Sequence, residues 1–289
     1  MDKEKQSIND ARPRKKFEKN PIKGTKITIA ISSAKGGVGK STFATNLALS
    51  LKANGLKVGL LDADIYGPSL PKLFSINHKP ESNGSSLLPI NKFGIQCMSM
   101  GFLTDEQTPM IWRGPMVTQA LEQLLTDTNW EDIDFLIIDL PPGTGDVQLT
   151  LCQKIPLSGA VIVTTPQDIS LIDARKGLKM FEKVEVPVLG VIENMSTFIC
   201  PKCGHVESIF GAGGGHQLAT ENDVKLLGEL PLQRSIREEM DKGTPTVSLD
   251  PESDVSKAYR EMARKMAATL SMRKKDYSSA FPKIVIQND

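Results

Sequence analysis

The sequence predicts a single α/β domain in which a mostly parallel sheet is covered by helices on both faces. Short continuous apolar runs recur at residues 27–31, 58–61, 94–98, 135–138, 159–163 and 188–192. Segments with helical periodicity lie between or after them, and neither a linker nor an internal repeat interrupts residues 26–270. Unbroken apolar runs suit strands buried on both faces, and their alternation with helices gives parallel order.

Taken in order, residues 1–25 are polar and charged, with Pro13 and Pro21, and read as a flexible basic arm. The first strand, 27–31, runs into a glycine-rich stretch. Helical periodicity then covers 41–54, and Gly55 stops it. Strands at 58–61 and 94–98 precede a helical segment around 117–125. After strands 135–138 and 159–163 comes a helix over 169–181, then strand 188–192. A further helical segment is expected around 224–227. Residues 254–270 form an amphipathic helix whose Val255, Tyr259, Met262, Met266 and Leu270 share one face. That stripe suits packing on the sheet better than membrane binding. The domain therefore spans 26–272, and 273–289 read as a loose tail.

The 289 residues carry a net charge of +1, so no global field recruits nucleic acid or membrane. No apolar run reaches the length of a membrane span. The start lacks a secretory core, and early acids with no amphipathic pattern argue against a transit peptide. Four cysteines do not make a disulfide framework in a chain of this size. Reduced thiols imply an intracellular setting, the cytoplasm or alternatively the mitochondrial matrix.

Ala34-Lys35-Gly36-Gly37-Val38-Gly39-Lys40-Ser41-Thr42, between a strand and a helix, is a Walker A arrangement. The fold class narrows to a P-loop NTPase domain. The glycines turn backbone N–H groups inward around phosphate oxygens, and the helix start faces the same phosphates. Lys40 supplies a point charge for the β- and γ-phosphates of ATP, and the Ser41 hydroxyl is placed to ligate Mg²⁺. Ala34 stands where the simple motif has its first Gly.

Asp62 and Asp64 follow the second strand, at the sheet edge where ligands bind. Two carboxylates at this spacing can serve Mg²⁺ and the attacking water. Asp139 ends strand 135–138 in the Walker B position, which holds Mg²⁺ through water. Pro141-Pro142-Gly143-Thr144-Gly145 after it is a stiff turn with flexible glycines, suited to a switch that senses γ-phosphate. Asn194 lies just beyond strand 188–192.

Cys200-Pro201-Lys202-Cys203 lets two thiolates face one metal. One chain then provides half a ligand set, whether for zinc or for a cubane. Two copies across a two-fold axis provide four thiolates. His205 is a possible third ligand, and a redox thiol pair is the competing reading. Cys97 and Cys152 read as small core residues.

With its second lysine at Lys35, the loop resembles the deviant Walker A class of MinD, ParA and the nitrogenase iron protein. That resemblance implies a homodimer in which Lys35 reaches the partner's ATP, Asp64 orients water with Asp62 as support, and Asn194 reads adenine. The wider set closely resembles the Mrp family of iron–sulfur cluster carrier ATPases, including mitochondrial relatives serving respiratory complex I. The matching stretches are Lys35 to Thr42, Asp62 to Ser69, Trp112 to Met116, Asp139 to Asp146, Thr165 to Asp168, Glu193 to Ser196 and Cys200 to Cys203. Resemblance implies a dimer that holds a bridging [4Fe–4S] cluster on Cys200 and Cys203 and passes it to apo iron–sulfur proteins. The extra N-terminal assembly domain of many bacterial members and the N-terminal cysteines of the cytosolic eukaryotic scaffolds do not fit in residues 1–25. Two rivals are a MinD- or ParA-type positioning ATPase, which has no use for the cysteine pair, and a zinc-bridged targeting ATPase, which needs a Met-rich helical insert that the chain lacks.

Overall fold

The computed structural model describes residues 21–103 and 114–272. In chain order the elements are β1 (Thr25–Ser32), α1 (Lys40–Ala53), β2 (Val58–Asp62), α2 (Leu70–Leu73), β3 (Ile90–Lys92), β4 (Ile95–Ser99), a 3₁₀ turn (Met100–Phe102), α3 (Gly114–Asp127), β5 (Ile133–Asp139) and α4 (Asp146–Lys154). Then come β6 (Gly159–Thr164), α5 (Asp168–Lys183), β7 (Val188–Ile199), β8 (Val206–Glu207), α6 (Gly214–Glu221), β9 (Leu226–Leu232), α7 (Arg234–Asp241), α8 (Thr246–Leu249) and α9 (Asp254–Ser271).

The sheet runs β3-β4-β2-β5-β1-β6-β7-β8, with β9 also on β7. Pairings among β4, β2, β5, β1, β6, β7 and β9 are parallel, while β3 and β8 pair antiparallel at the two ends. The central strands are enclosed: Ile29, Ala30, Ile31, Leu136, Ile137, Ile138, Val161 and Ile162 expose no surface. This is the burial that unbroken apolar runs imply. The register sets Asp62 beside Asp139 and Ile31 beside Asp139. The three central strands thus deliver their ends to one crevice.

Helix α9 packs on α1 and β9. Its Val255, Tyr259, Met262 and Met266 are buried, and Leu270 packs partly buried on the core. Tyr259 meets Phe43 of α1 with ring centroids 6.0 Å apart. The apolar stripe is therefore spent inside the fold. Among the described residues no helix is long and apolar enough to cross a membrane.

The helix expected around 224–227 does not form; Leu226 and Leu227 instead open β9, parallel to β7. Three apolar residues out of four satisfy either period, and the open flank of β7 decides between them. Most of the expected arm lies outside the described residues. Of its last residues, Ile22 is buried and Thr25 already opens β1. The tail 273–289 and Trp112-Arg113 also lie outside them.

Candidate functional site

The phosphate loop leaves β1 at Ser33 and enters α1 at Lys40. Ser33 Oγ donates to the Lys35 carbonyl at 2.9 Å, bracing the turn from within. Gly37 and Gly39 take left-handed φ values of 80° and 82°. Gly39 is also crowded: a Cβ there would lie 2.2 Å from Asn194 Nδ2. Both constraints admit only glycine. Val38 is buried, and its carbonyl accepts from Asn194 Nδ2 at 2.8 Å. Asn194, expected to meet the base, therefore also clasps the loop.

Lys40 is only 6% exposed, and its ammonium pairs with Asp139 Oδ1 at 2.5 Å. Ser41 Oγ lies 3.4 Å from the same nitrogen. Burial holds the Asp139 carboxyl above the ordinary carboxylate range, opposed first by the Lys40 charge and by hydrogen bonds from Lys40 and Ser41. A hydroxyl and a carboxylate meeting at a helix start are hard oxygen donors, which fits Mg²⁺. Ser41 and Asp139 would hold it.

The two aspartates after β2 divide their work. Asp62 Oδ2 accepts from Ser69 N, Leu70 N and Ser99 Oγ at 2.8, 2.9 and 3.0 Å, and Oδ1 accepts from Asp64 N. Asp62 thus ties three segments together. Its carboxyl is pushed up to about 6, first by burial and then by the Asp139 charge. Asp64 presents Oδ1 to the N–H groups of Tyr66 and Gly67 at 3.2 Å each. Gly143 N donates to the Ser33 carbonyl at 2.8 Å, so the Pro141–Gly145 turn touches the phosphate loop directly. Lys35 is half-buried, and among the described residues its ammonium makes no hydrogen bond or ion pair.

Sequence reasoning did not find the cavity beside Gly39 and Thr42. It has a volume near 220 Å³ and is lined by Asn194, Met195, Pro231, Leu232, Arg237 and Tyr259, among others. Its position at the start of α1, beside Asn194, suits a nucleobase. Its walls come from α7, α9 and the end of β9, elements that no motif marks.

The cysteine pair sits in the turn between β7 and β8. Ile199 pairs with Val206, Cys200 N donates to the His205 carbonyl, and Gly204 N donates to the Cys200 carbonyl, both at 2.9 Å. Cys203 is exposed and Cys200 partly so, whereas Cys97 and Cys152 are buried. The backbone N–H of Lys202, then that of Cys203, aim at the Cys200 sulfur and hold its thiol below the ordinary value. Such a turn favours thiolate, the form that binds metal. Among the described residues no group of three or more His, Cys, Asp or Glu forms a metal site, so His205 does not complete one. Ile199, Val206 and Ile209 around the turn are also exposed.

Three comparisons bear on this arrangement. The family model described as ParA: NUBPL iron-transfer P-loop NTPase matches residues 24–267. The iron-sulfur cluster carrier protein of Escherichia coli (strain K12) is 57% identical over 251 residues, covering 86% of this chain and 68% of that protein. The iron-sulfur cluster transfer protein NUBPL of Mus musculus is 53% identical over 256 residues, covering 88% of this chain and 80% of its own. Among solved structures, the nucleotide-binding protein of Archaeoglobus fulgidus in complex with ADP superposes with a TM-score of 0.70 at 36% identity, covering 80% of this chain and 90% of that one.

Proposed function

The chain belongs to the ParA-type family of NUBPL iron-transfer P-loop NTPases, and from that premise we propose that it hydrolyses ATP slowly while carrying a [4Fe–4S] cluster at a homodimer interface for delivery to apo iron–sulfur proteins. The observation that carries this reading is the Cys200/Cys203 turn, solvent-accessible at both thiols, at the end of the same strand that clasps the phosphate loop. Relatives at 53–57% identity bear the names of cluster carriers and transfer proteins. One chain offers two thiols, a cubane takes four, and a two-fold axis doubles the set.

In this reading the loop N–H groups and Lys40 hold the phosphates. Asn194 and the cavity beside it take adenine. Bound Mg²⁺ would neutralise charge on the β- and γ-phosphates, with Ser41 and Asp139 as its protein ligands. Asp64 orients a water whose oxygen attacks the γ-phosphorus. The bond from that phosphorus to the ADP oxygen breaks, and the water's proton passes to the phosphate or to solvent. Lys35 adds positive charge to the partner's site in trans. The compartment is one that keeps thiols reduced, the cytoplasm or the mitochondrial matrix.

Anaerobic reconstitution with iron and sulfide tests the reading. The expected product has about four irons per dimer, matching sulfide, and visible charge-transfer absorption. Zinc at one per dimer without sulfide would replace the cluster with a structural metal. Four irons per monomer would defeat the bridging geometry.

A further inference from the structure

Strand β7 carries two neighbouring residues with opposite duties. Asn194 reaches the phosphate loop through the Val38 carbonyl at 2.8 Å and crowds Gly39. Glu193, on the other side of the pleat, is 1% exposed and accepts from Gly215 N in the first turn of α6. The approach is so close that a Cβ on Gly215 would lie 2.8 Å from the Glu193 Cβ. Helix α6 begins just after the segment that returns from the cysteine turn, so the turn is held at both ends by adjacent residues. Its outgoing arm is β7 itself, and its returning arm ends on Glu193.

Between this pair and Cys200 the strand is irregular. From Asn194 opposite Leu230 to Phe198 opposite Leu232, β7 advances four residues where β9 advances two. Met195 within this bulge takes a left-handed φ of 56°, a conformation that a non-glycine residue keeps only where its surroundings impose it. Ser196 Oγ pins the bulge to the Leu230 carbonyl at 3.1 Å. Bulges concentrate bending and re-aim the segment downstream of them. The segment downstream of this bulge is the cysteine turn.

We propose that the Glu193–Asn194 pair, with the bulge after it, is the positioning element through which nucleotide in the phosphate loop sets the geometry of the Cys200/Cys203 turn. The inference rests on the reading of that loop as a nucleotide site. A shift of Val38 and Gly39 moves Asn194. The rigid peptide link carries the motion to Glu193 and so to the start of α6, and the two arms of the turn move relative to each other across the bulge.

The test labels thiols in the metal-free protein, dilute enough to stay monomeric, with iodoacetamide, and maps the products by mass spectrometry. The rates at Cys200 and Cys203 are compared between a non-hydrolysable ATP analogue and ADP. The expected ratio is about fivefold or more, the lower end of ordinary coupling between sites. Glu193→Gln and, from the other side, Gly215→Ala are expected to bring the ratio towards one, with the melting profile cooperative and nucleotide affinity kept within about threefold, since neither residue touches the loop. A merely structural role would change the absolute rates and leave the ratio. A ratio of one in the unaltered chain overturns the proposal, as does a full ratio in both variants. Reconstitution of the unaltered chain is monitored in parallel: its failure would sink the carrier reading while leaving the labelling ratio to judge the coupling alone.

Discussion

The Lys40 ammonium sits 2.5 Å from Asp139 Oδ1, and both side chains are almost wholly enclosed. A phosphate entering the loop competes with Asp139 for this lysine, and the carboxylate released is the one assigned to Mg²⁺. In the proposed reading the pair would link phosphate capture to metal capture. Asp139→Ala strands a buried ammonium, which is expected to cost roughly 3–5 kcal/mol of stability. Denaturant unfolding checks this, and a loss below about 1 kcal/mol would mean that the pair is effectively solvated. Lys40→Ala is expected to abolish nucleotide binding in a fluorescent-ATP titration.

Asp64→Asn is expected to keep ATP binding and to lose about 10²–10³-fold in turnover. The reason is local. The N–H groups of Tyr66 and Gly67 require an oxygen at the Oδ1 position, so an asparagine turns its NH₂ to the other side. A donor then stands where the water needs an acceptor. Steady-state phosphate release with parallel binding measurements separates the two effects, and normal turnover would remove Asp64 from its role.

Lys35→Ala is expected to leave ATP binding by the monomer largely unchanged while impairing turnover and ATP-dependent dimer closure. In the proposed reading Lys40 serves the phosphates in cis, and the Lys35 ammonium has no partner among the described residues. Mixing Lys35→Ala chains with Asp64→Asn chains gives dimers with one composite site in which both residues are intact. Turnover recovered in the mixture supports action in trans; a mixture as inactive as its parents refutes it.

The Cys200 thiol lies below its ordinary value because the Lys202 and Cys203 N–H groups favour the thiolate. The sign is that of a depressed acid: the charged form persists to lower pH than in an unassisted thiol. Alkylation of Cys200, resolved by mass spectrometry, is expected to rise with pH around a midpoint below the ordinary thiol value of 9.0. A midpoint at or above that value would contradict the geometry of the turn. Metal loading should likewise hold to lower pH than for an unassisted thiol.

How much the sequence disclosed depends on how local each signal is. The phosphate loop, Asp64 and Asp139 lie in contiguous motifs beside apolar strands, so their order along the chain already places them at one sheet edge, while the cysteine pair was legible from its own spacing. Asp62 as a support was legible in position, but not in its four hydrogen bonds to segments as distant as Ser99. The cavity residues Arg237 and Tyr259 were not legible as neighbours of the loop, because only the folding of α7 and α9 over α1 brings them there. The same holds for β9. Residues 224–227 satisfy two periods, and the strand forms because β7 offers a free flank. Asn194 was found by its place after a strand, whereas its clasp on Val38 depends on the pleat direction, which a motif does not encode.

The cysteine turn protrudes beyond the parallel part of the sheet, anchored before it by β7 and after it by α6. Residues 201–209 are all exposed, and none belongs to the core. The thiol turn is thus an appendage in the engineering sense: residues 200–207 could be replaced by a short hairpin, or the turn transplanted onto the matching strand of another parallel-sheet ATPase, without disturbing the crevice at the strand ends. A metal held by Cys200 and Cys203 would then sit on a piece of the chain distinct from the crevice and joined to it only through β7 and α6.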